Sequence, residues 1–338
     1  MLAGENGQGK SNLLEAIRYV SALESFRGAG TDELVGVGEP SAQLLLRAHA
    51  TPLSRALGVT LASQRPRALV LDGKRPSSGL SWLAVMPTVL FHPGDLALAQ
   101  GGPEGRRLLL DRVLTEMDPA YGATLGSYQK ALRSRNRLLR SERPDRRAIT
   151  AYDPILAENG AVLAAARHAV VSELAPAAEQ VFHEIVGSDV PITIRYRARV
   201  HGGEGAIRAA LERSLEKDLA RGYTVEGPHA DDLVLEVKTR GARHHASQGQ
   251  QRVLVLALRV AELGVLEART GRTPVLLLDD VSSELDAVRS QRFFALLSEL
   301  GSQVFLTTTR PELVEVSGER VDWNVRAGAV RRATPRAG

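Results

Sequence analysis

The chain has 338 residues, 43 Lys and Arg against 39 Asp and Glu, a formal net charge of +4 and no cysteine. At roughly 150 residues per domain the length predicts about two domains, and 43% hydrophobic with 24% charged residues describes a globular chain rather than a disordered one. The lack of cysteine excludes disulfides, thiolate nucleophiles and cysteine zinc sites and fits a reducing cytosol, while no apolar run reaches the about 18 residues of a membrane-spanning helix.

The chain opens almost at once on residues 4–11 (GENGQGKS), a complete match to the phosphate-loop pattern G-x-x-x-x-G-K-S. Glycines in such a loop let backbone N–H groups converge on phosphate oxygens, and the following helix N-terminus adds its positive dipole end. Gly4, Glu5, Asn6, Gly7, Gln8, Gly9, Lys10 and Ser11 are therefore candidate nucleotide-binding residues. Lys10 would reach the β and γ phosphates, and the Ser11 hydroxyl would ligate Mg2+. A plain glycine turn at a helix start is the competing reading. Leu13, Leu14, Ile17, Val20 and Leu23 predict the helix itself. Only Met1, Leu2 and Ala3 precede Gly4, too few for the buried strand that normally launches such a loop. The initial strand is expected to be missing, either because the chain is truncated there, the favoured reading, or because its start is assigned too late.

Residues 43–48, 59–62, 69–71 and 85–91 are short apolar runs between Gly and Pro, predicting strands of an accessory sheet. Gly101, Gly102 and Pro103 then break the chain. From residue 104 to about 187 the pattern is helical. Tyr121, Leu125, Tyr128, Leu132 and Leu139 fall on one helix stripe, and Lys130, Arg133, Arg137 and Arg140 lie opposite. Leu156, Leu163, Val170, Leu174, Val181 and Ile185 mark a second long helix beyond a polar turn at 141–147, which suggests a projecting arm. Between Tyr128 and Thr150 eight cations (Lys130, Arg133, Arg135, Arg137, Arg140, Arg143, Arg146, Arg147) face only Glu142 and Asp145, a local +6 that leaves the rest of the chain at −2. Lys130, Arg133, Arg137 and Arg140 are candidate DNA contacts, and a solvated helix surface is the alternative.

Strand patterns resume at 192–196 and 233–237, followed by a helix over about 249–268, a strand at 275–278, a helix to Leu300 and a strand at 303–307. The whole predicts an α/β domain split in sequence around a helical insertion, with boundaries at 1–103, 104–188 and 189–338. Val275-Leu276-Leu277-Leu278-Asp279-Asp280 matches a Walker B strand. Its end would deliver Asp279 to Mg2+ and Asp280 to the attacking water as general base. An acidic pair after a strand is also a common helix cap. Ser247-Gln248-Gly249-Gln250-Gln251-Arg252 opens the preceding helix, where Ser247, Gly249 and Gln250 form either a second anion site or a capping turn. With Ser283-Glu284-Leu285-Asp286 and Thr307-Thr308-Thr309, the motifs run in the order of an ABC-type ATPase, in which ATP lies between one subunit's Walker A and the other's signature helix. His244-His245 and His183-Glu184 have no convergent ligand set, and Gly36-Val37-Gly38 lacks the third glycine of a dinucleotide fingerprint.

These runs together resemble the RecF family of DNA replication and repair proteins, relatives of the SMC heads. The resemblance is carried by 4–17 (GENGQGKSNLLEAI), 25–28 (SFRG), 90–111, 128–139, 227–232 (GPHADD), 247–252 (SQGQQR), 276–286 and 303–309. It implies an ABC-type P-loop ATPase head with an inserted helical arm domain, acting in the cytoplasm and dimerising on ATP with Mg2+. It also implies binding to single-stranded or gapped DNA and action with RecO and RecR in recombinase loading, gap repair and SOS induction. Three positions depart from the family: the initial strand, Ala230 where an Arg is usual, and Arg310 where an acidic residue is expected. Asp280 is one methylene shorter than the Glu of fast ABC enzymes, which predicts slow turnover. An ABC transporter ATPase subunit and a DNA-binding scaffold with a vestigial nucleotide site remain as alternatives.

Overall fold

The structure is a computed structural model, and it describes residues 1–50 and 53–333. The first elements are β1 (Leu2–Ala3), α1 (Lys10–Ala22), α2 (Thr31–Leu34), β2 (Ser41–Ala50), β3 (Leu53–Ala62), β4 (Ala68–Leu71), α3 (Gly79–Leu83) and β5 (Thr88–Phe91). Helices α4 (Ala97–Gln100), α5 (Pro103–Met117), α6 (Pro119–Leu139), α7 (Arg146–Thr150) and α8 (Asp153–Val186) follow. Then come β6 (Ile192–Arg197), α9 (Gly203–Arg221), β7 (Asp232–Val237), β8 (Arg240–Gly241), α10 (Ala242–His245) and α11 (Gln248–Thr270). The chain closes with β9 (Val275–Leu278), α12 (Ala287–Glu299), β10 (Val304–Thr308), β11 (Trp323–Arg326) and β12 (Ala329–Arg332). Among the described residues no helix is long and apolar enough to cross a membrane.

Contacts divide the chain into two compact units. The first comprises Met1–Asp95, Glu184–Gly187 and the chain from Leu266 onward. Its six-stranded sheet has the order β12-β11-β1-β10-β9-β5, parallel throughout except for β12. Strands covered on both faces read as unbroken apolar runs, and Leu276, Leu277 and Leu278 of β9 are fully buried. Leu14 of α1 packs with Leu2, Leu90, Leu277 and Val325, so the helix that follows the phosphate loop is seated on the sheet centre. An antiparallel sheet β2-β3-β4 packs Leu57, Val59 and Leu61 against Tyr19, Val20, Leu23 and Trp82. The Trp82 indole N–H donates to the Val20 carbonyl at 2.6 Å, so the largest buried ring leaves no polar atom unmet.

Two sequence expectations are corrected here. The strand before the phosphate loop is present, though only two residues long. Leu2 and Ala3 pair with Thr307 and Thr308 of β10 on one side and with Trp323 and Asn324 of β11 on the other. Two residues suffice because both backbone edges are satisfied and both side chains are buried. The run 85–91 does not join the accessory sheet. Its strand, β5, pairs in parallel with β9 from Thr88↔Val275 to Phe91↔Leu278 and is buried on both faces.

The second unit, Leu96–His183 with Ser188–Val265, holds the helices α4–α7, most of α8 and the sheet β6-β7-β8. Tyr121, Tyr128 and Leu139 of α6 are buried, as are Leu156, Leu163, Val170 and Leu174 of α8. The segment between these helices is not only a turn, since Asp145 caps α7 by accepting from the N–H groups of Arg147 and Ala148.

Charge counting along this segment overstates its surface. Arg135 is fully buried, with Nε 2.9 Å from Asp153 Oδ1 and Nη1 2.7 Å from Asp218 Oδ2 and 2.9 Å from Thr224 Oγ1. Burial raises the Asp153 carboxyl pKa, and the Arg135 charge opposes that shift. Arg146 is engaged by Glu216 on both terminal guanidinium nitrogens, Nη1 and Nη2. Asp111 likewise grips the buried Arg167 in a bidentate pair at 2.8 and 2.9 Å.

Removing one partner of a buried ion pair leaves the others unpaired in low dielectric, at a cost of about 3–5 kcal/mol. Arg135→Ala is therefore expected to lose that much in denaturant unfolding of the full chain. Arg133→Ala, on the exposed face of α6, should stay within about 0.5 kcal/mol of the parent.

Candidate phosphate-binding site

The turn between β1 and α1 is built on left-handed glycines. Gly7 has φ 76° and Gly9 φ 96°, a region that L side chains rarely adopt. Gly9 starts α1 without a side-chain cap, and its carbonyl accepts from Asn12 and Leu13. The first amides of this 13-residue helix face the loop instead of an internal acceptor. Lys10 is buried and donates from Nζ to the carbonyls of Gly4 at 2.9 Å and Glu5 at 2.8 Å. The ammonium thus sits within the curl of the loop.

The two Walker segments meet at a carboxylate. Ser11 Oγ donates to Asp279 Oδ1 at 2.7 Å, across 268 residues of sequence. Thr307 Oγ1, at the end of β10, donates to the same oxygen at 2.7 Å and accepts from the Asp280 N–H at 3.0 Å. The Asp279 N–H continues the ladder to the Phe91 carbonyl at 2.9 Å. Asp280 turns the chain with φ 52°, a conformation that Asp tolerates better than most residues. Neither acid is the cap of the next long helix. Asp280 makes no side-chain cap bond, and Asp286 caps α12 through Arg289 N–H at 3.0 Å.

Thr307 is a site residue to which the sequence reading assigned no role. Its signals in the sequence are a hydroxyl at the end of an apolar strand and its place in the Thr307-Thr308-Thr309 run. A second is Gln8, whose side-chain Oε1 accepts from Ala327 N–H at 2.6 Å while its carbonyl accepts from Gly328 N–H at 3.0 Å. The phosphate loop is thereby bonded to the tip of the hairpin β11–β12. The SFRG run also gains a place: Arg27 reaches Asn12 Oδ1 at 2.8 Å, and the Phe26 ring lies 5.1 Å from that of His92 at the end of β5.

In the other unit, Ser247 and Gln250 form a reciprocal capping box at the start of α11. Gln250 N–H donates to Ser247 Oγ at 3.2 Å, and Ser247 N–H donates to Gln250 Oε1 at 3.0 Å. Gly249 lies within that first turn. Lys130, Arg133 and Arg137 of α6 and Arg140, its C-terminal cap, are all exposed, with Arg140 Nε 3.2 Å from the Gly222 carbonyl. The GPHADD run is mostly structural in its contacts. His229 donates from Nε2 to the Thr224 carbonyl at 2.9 Å and accepts on Nδ1 from Tyr128 Oη at 2.6 Å. Burial holds its imidazole below the usual histidine range. Ala230, where an Arg was expected, is exposed.

A Cβ at Gly4 would overlap the Val325 carbonyl oxygen of β11, whereas one at Gly79 would meet nothing within 4 Å. Gly4→Ala is expected to lower stability by about 1–3 kcal/mol and to shift the thermal melt accordingly. Gly79→Ala should melt within a degree or so of the parent.

No family model matches the chain. A curated protein from Myxococcus xanthus, DNA replication and repair protein RecF, is 40% identical over 322 residues, covering 92% of this chain and 84% of the relative. Its namesake from Geobacter sulfurreducens is 35% identical over 327 residues, covering 94% and 88%. Among solved structures, the recombination mediator protein RecF with ATP, of the RecFOR pathway, superposes with a TM-score of 0.88 at 31% identity, covering 98% of this chain and 91% of that one. The Smc head domain of Pyrococcus yayanosii reaches a TM-score of 0.57 at 14% identity, covering 98% and 91%, a likeness of fold alone. With the phosphate loop, the Walker B strand and the parallel sheet in this order, the chain belongs to the RecF family of DNA replication and repair proteins, on an ABC-type ATPase fold.

Proposed function

We propose that the chain is an ATP-switched DNA-binding protein of replication and repair that dimerises on ATP and hydrolyses it slowly. The observation that carries this reading is the convergence of Ser11 and Thr307 on one Asp279 oxygen, with the Lys10 ammonium held by the carbonyls of the preceding loop. ATP would place its phosphates in the curl of residues 4–11, with Lys10 exchanging the Gly4 and Glu5 carbonyls for phosphate oxygens. Ser11 and Asp279 offer hard oxygen donors 2.7 Å apart, the chemistry Mg2+ prefers when phosphate oxygens and waters complete its shell. When bound, Mg2+ neutralises charge developing on the phosphates. Asp280 would hold the attacking water and accept its proton. Its short side chain, on a backbone fixed by Thr307, favours a low rate. Ser247, Gly249 and Gln250 would complete the site of a second subunit, which makes dimerisation the output of binding.

The exposed Lys130, Arg133, Arg137 and Arg140 would contact single-stranded or gapped DNA as part of a helical arm spanning 104–188. The family likeness supports a cytoplasmic role with RecO and RecR in loading recombinase at gaps and in SOS induction. The basic face of α6 disfavours a transporter subunit. A scaffold with a vestigial nucleotide site is disfavoured by the hydrogen bond that joins the two Walker segments, Ser11 to Asp279.

Sedimentation of the full chain with ATP should show a dimer that Lys10→Ala abolishes, and a dimer retained in that variant would overturn the switch. Asp280→Glu is expected to raise turnover on the order of 10-fold. An already fast parent would remove the argument from side-chain length.

A further inference from the structure

The hairpin β11–β12 carries a charged face that the reading above leaves unused. Arg326, Arg331 and Arg332 are exposed, and residues 323–332 contain no acidic side chain. The register sets Asn324 opposite Arg331 and Arg326 opposite Ala329. Side chains alternate along a strand and opposed residues share a face. Asn324, Arg326 and Arg331 therefore stand together on one side of the ribbon, and Trp323, Val325, Val330 and Arg332 on the other. Of the second side Val325 alone is buried, with Trp323 37% and Val330 39% exposed, whereas Asn324, Arg326 and Arg331 are all exposed. Arg326 and Arg331 are diagonal neighbours, roughly 7–8 Å apart, so two positive groups are held together with no acid from their own hairpin between them.

This ribbon is fastened to the phosphate loop. The two tip residues, Ala327 at φ 49° and Gly328 at φ 76°, make the two-residue turn that suits twisted hairpins. Both of their amides are taken by Gln8, one by its side chain and one by its carbonyl. Gly4 abuts Val325 and a Cβ on Gly9 would lie 3.5 Å from Gly328, so the hairpin touches the loop at both ends. A shift of the loop on accepting a nucleotide must therefore be followed by the hairpin or break these bonds.

We propose that the Asn324, Arg326 and Arg331 face is a second nucleic-acid surface, taking the sugar-phosphate backbone, and that Gln8 couples its occupancy to that of the phosphate loop. The proposal rests on the DNA-binding reading above but on residues separate from the basic face of α6. Two guanidinium forks beside a carboxamide match phosphate oxygens and carry no base-reading geometry, so the contact is independent of sequence. Coupling is reciprocal: the factor by which DNA on the ribbon changes nucleotide affinity is the factor by which nucleotide changes DNA affinity.

The test uses the full chain, a fluorescent gapped duplex and anisotropy over about 50–200 mM salt. The Arg326→Ala/Arg331→Ala variant should lose affinity on the order of 10-fold, and its log K against log salt slope should flatten by about 1.8, or 0.9 per lost phosphate contact. Arg326→Lys/Arg331→Lys should keep most of the slope, which separates lost charge from a hairpin that no longer folds. At saturating DNA, the change in affinity for a fluorescent ATP analogue should vanish in the Arg326→Ala/Arg331→Ala variant and shrink in Gln8→Ala. It should persist when Lys130, Arg133, Arg137 and Arg140 are replaced by Ala. Parent-like affinity and slope in Arg326→Ala/Arg331→Ala, with loss only in the α6 variant, would overturn the ribbon and leave the DNA reading standing. Failure of the parent to bind DNA would overturn both.

Discussion

A single oxygen, Asp279 Oδ1, accepts hydrogen bonds from Ser11 and Thr307, and so joins the start of α1 to the ends of β9 and β10. A carboxylate with charge-assisted donors makes its strongest bonds when they are short and few water molecules compete. Asp279 is 7% exposed, which keeps both bonds out of bulk solvent. Everything the site requires is placed relative to this atom: Lys10 precedes Ser11, Asp280 follows Asp279, and Thr307 steers the Asp280 amide. The six-stranded sheet makes this possible because β1, β10 and β9 are neighbours and parallel, so their carboxyl ends open at one edge.

The phosphate loop and Walker B strand were legible because their chemistry is local. Glycine at positions 7 and 9 is demanded by positive φ, and an unbroken Val275–Leu278 run can only be a strand covered on both faces. What sequence could not reveal was pairing. The same kind of apolar run led 85–91 to be grouped with the accessory sheet, since nothing local distinguishes a partner in β9 from one in β3. Leu2 and Ala3 looked too short for a strand because the bonds that hold them come from residues some three hundred positions away. Gln8 read as an unspecified loop residue, and its bonds to Ala327 and Gly328 depend on that same distant return of the chain.

Charge illustrates the same limit from the other side. Arg135 and Arg137 differ by two residues on one helix and are identical in any count, yet one is fully buried between Asp153 and Asp218 and the other is exposed. At 100° per residue a shift of two positions turns a side chain through about 200°, enough to exchange core for solvent. Periodicity could have marked Arg135 as facing inward, but only the acids from α8 and α9 explain how a cation is tolerated there. The basic surface of α6 is accordingly narrower than its composition.

The pairing of β1 with β10 and β11 has a consequence for biosynthesis. Residue 2 must wait for residues 307 and 323 before either of its edges is satisfied. At about 5–20 residues per second, that interval on the ribosome is roughly 16–64 s. Until its end the glycine loop lacks β10, Thr307 and the hairpin tip to shape it, so a nascent chain is a poor ligand trap. Closure then depends on contacts of very high sequence separation, which are the slowest to form. The ability to grip a phosphate is therefore acquired late, as a property of the finished chain, and a ribosome stalled before residue 307 would release a product unable to compete for nucleotide.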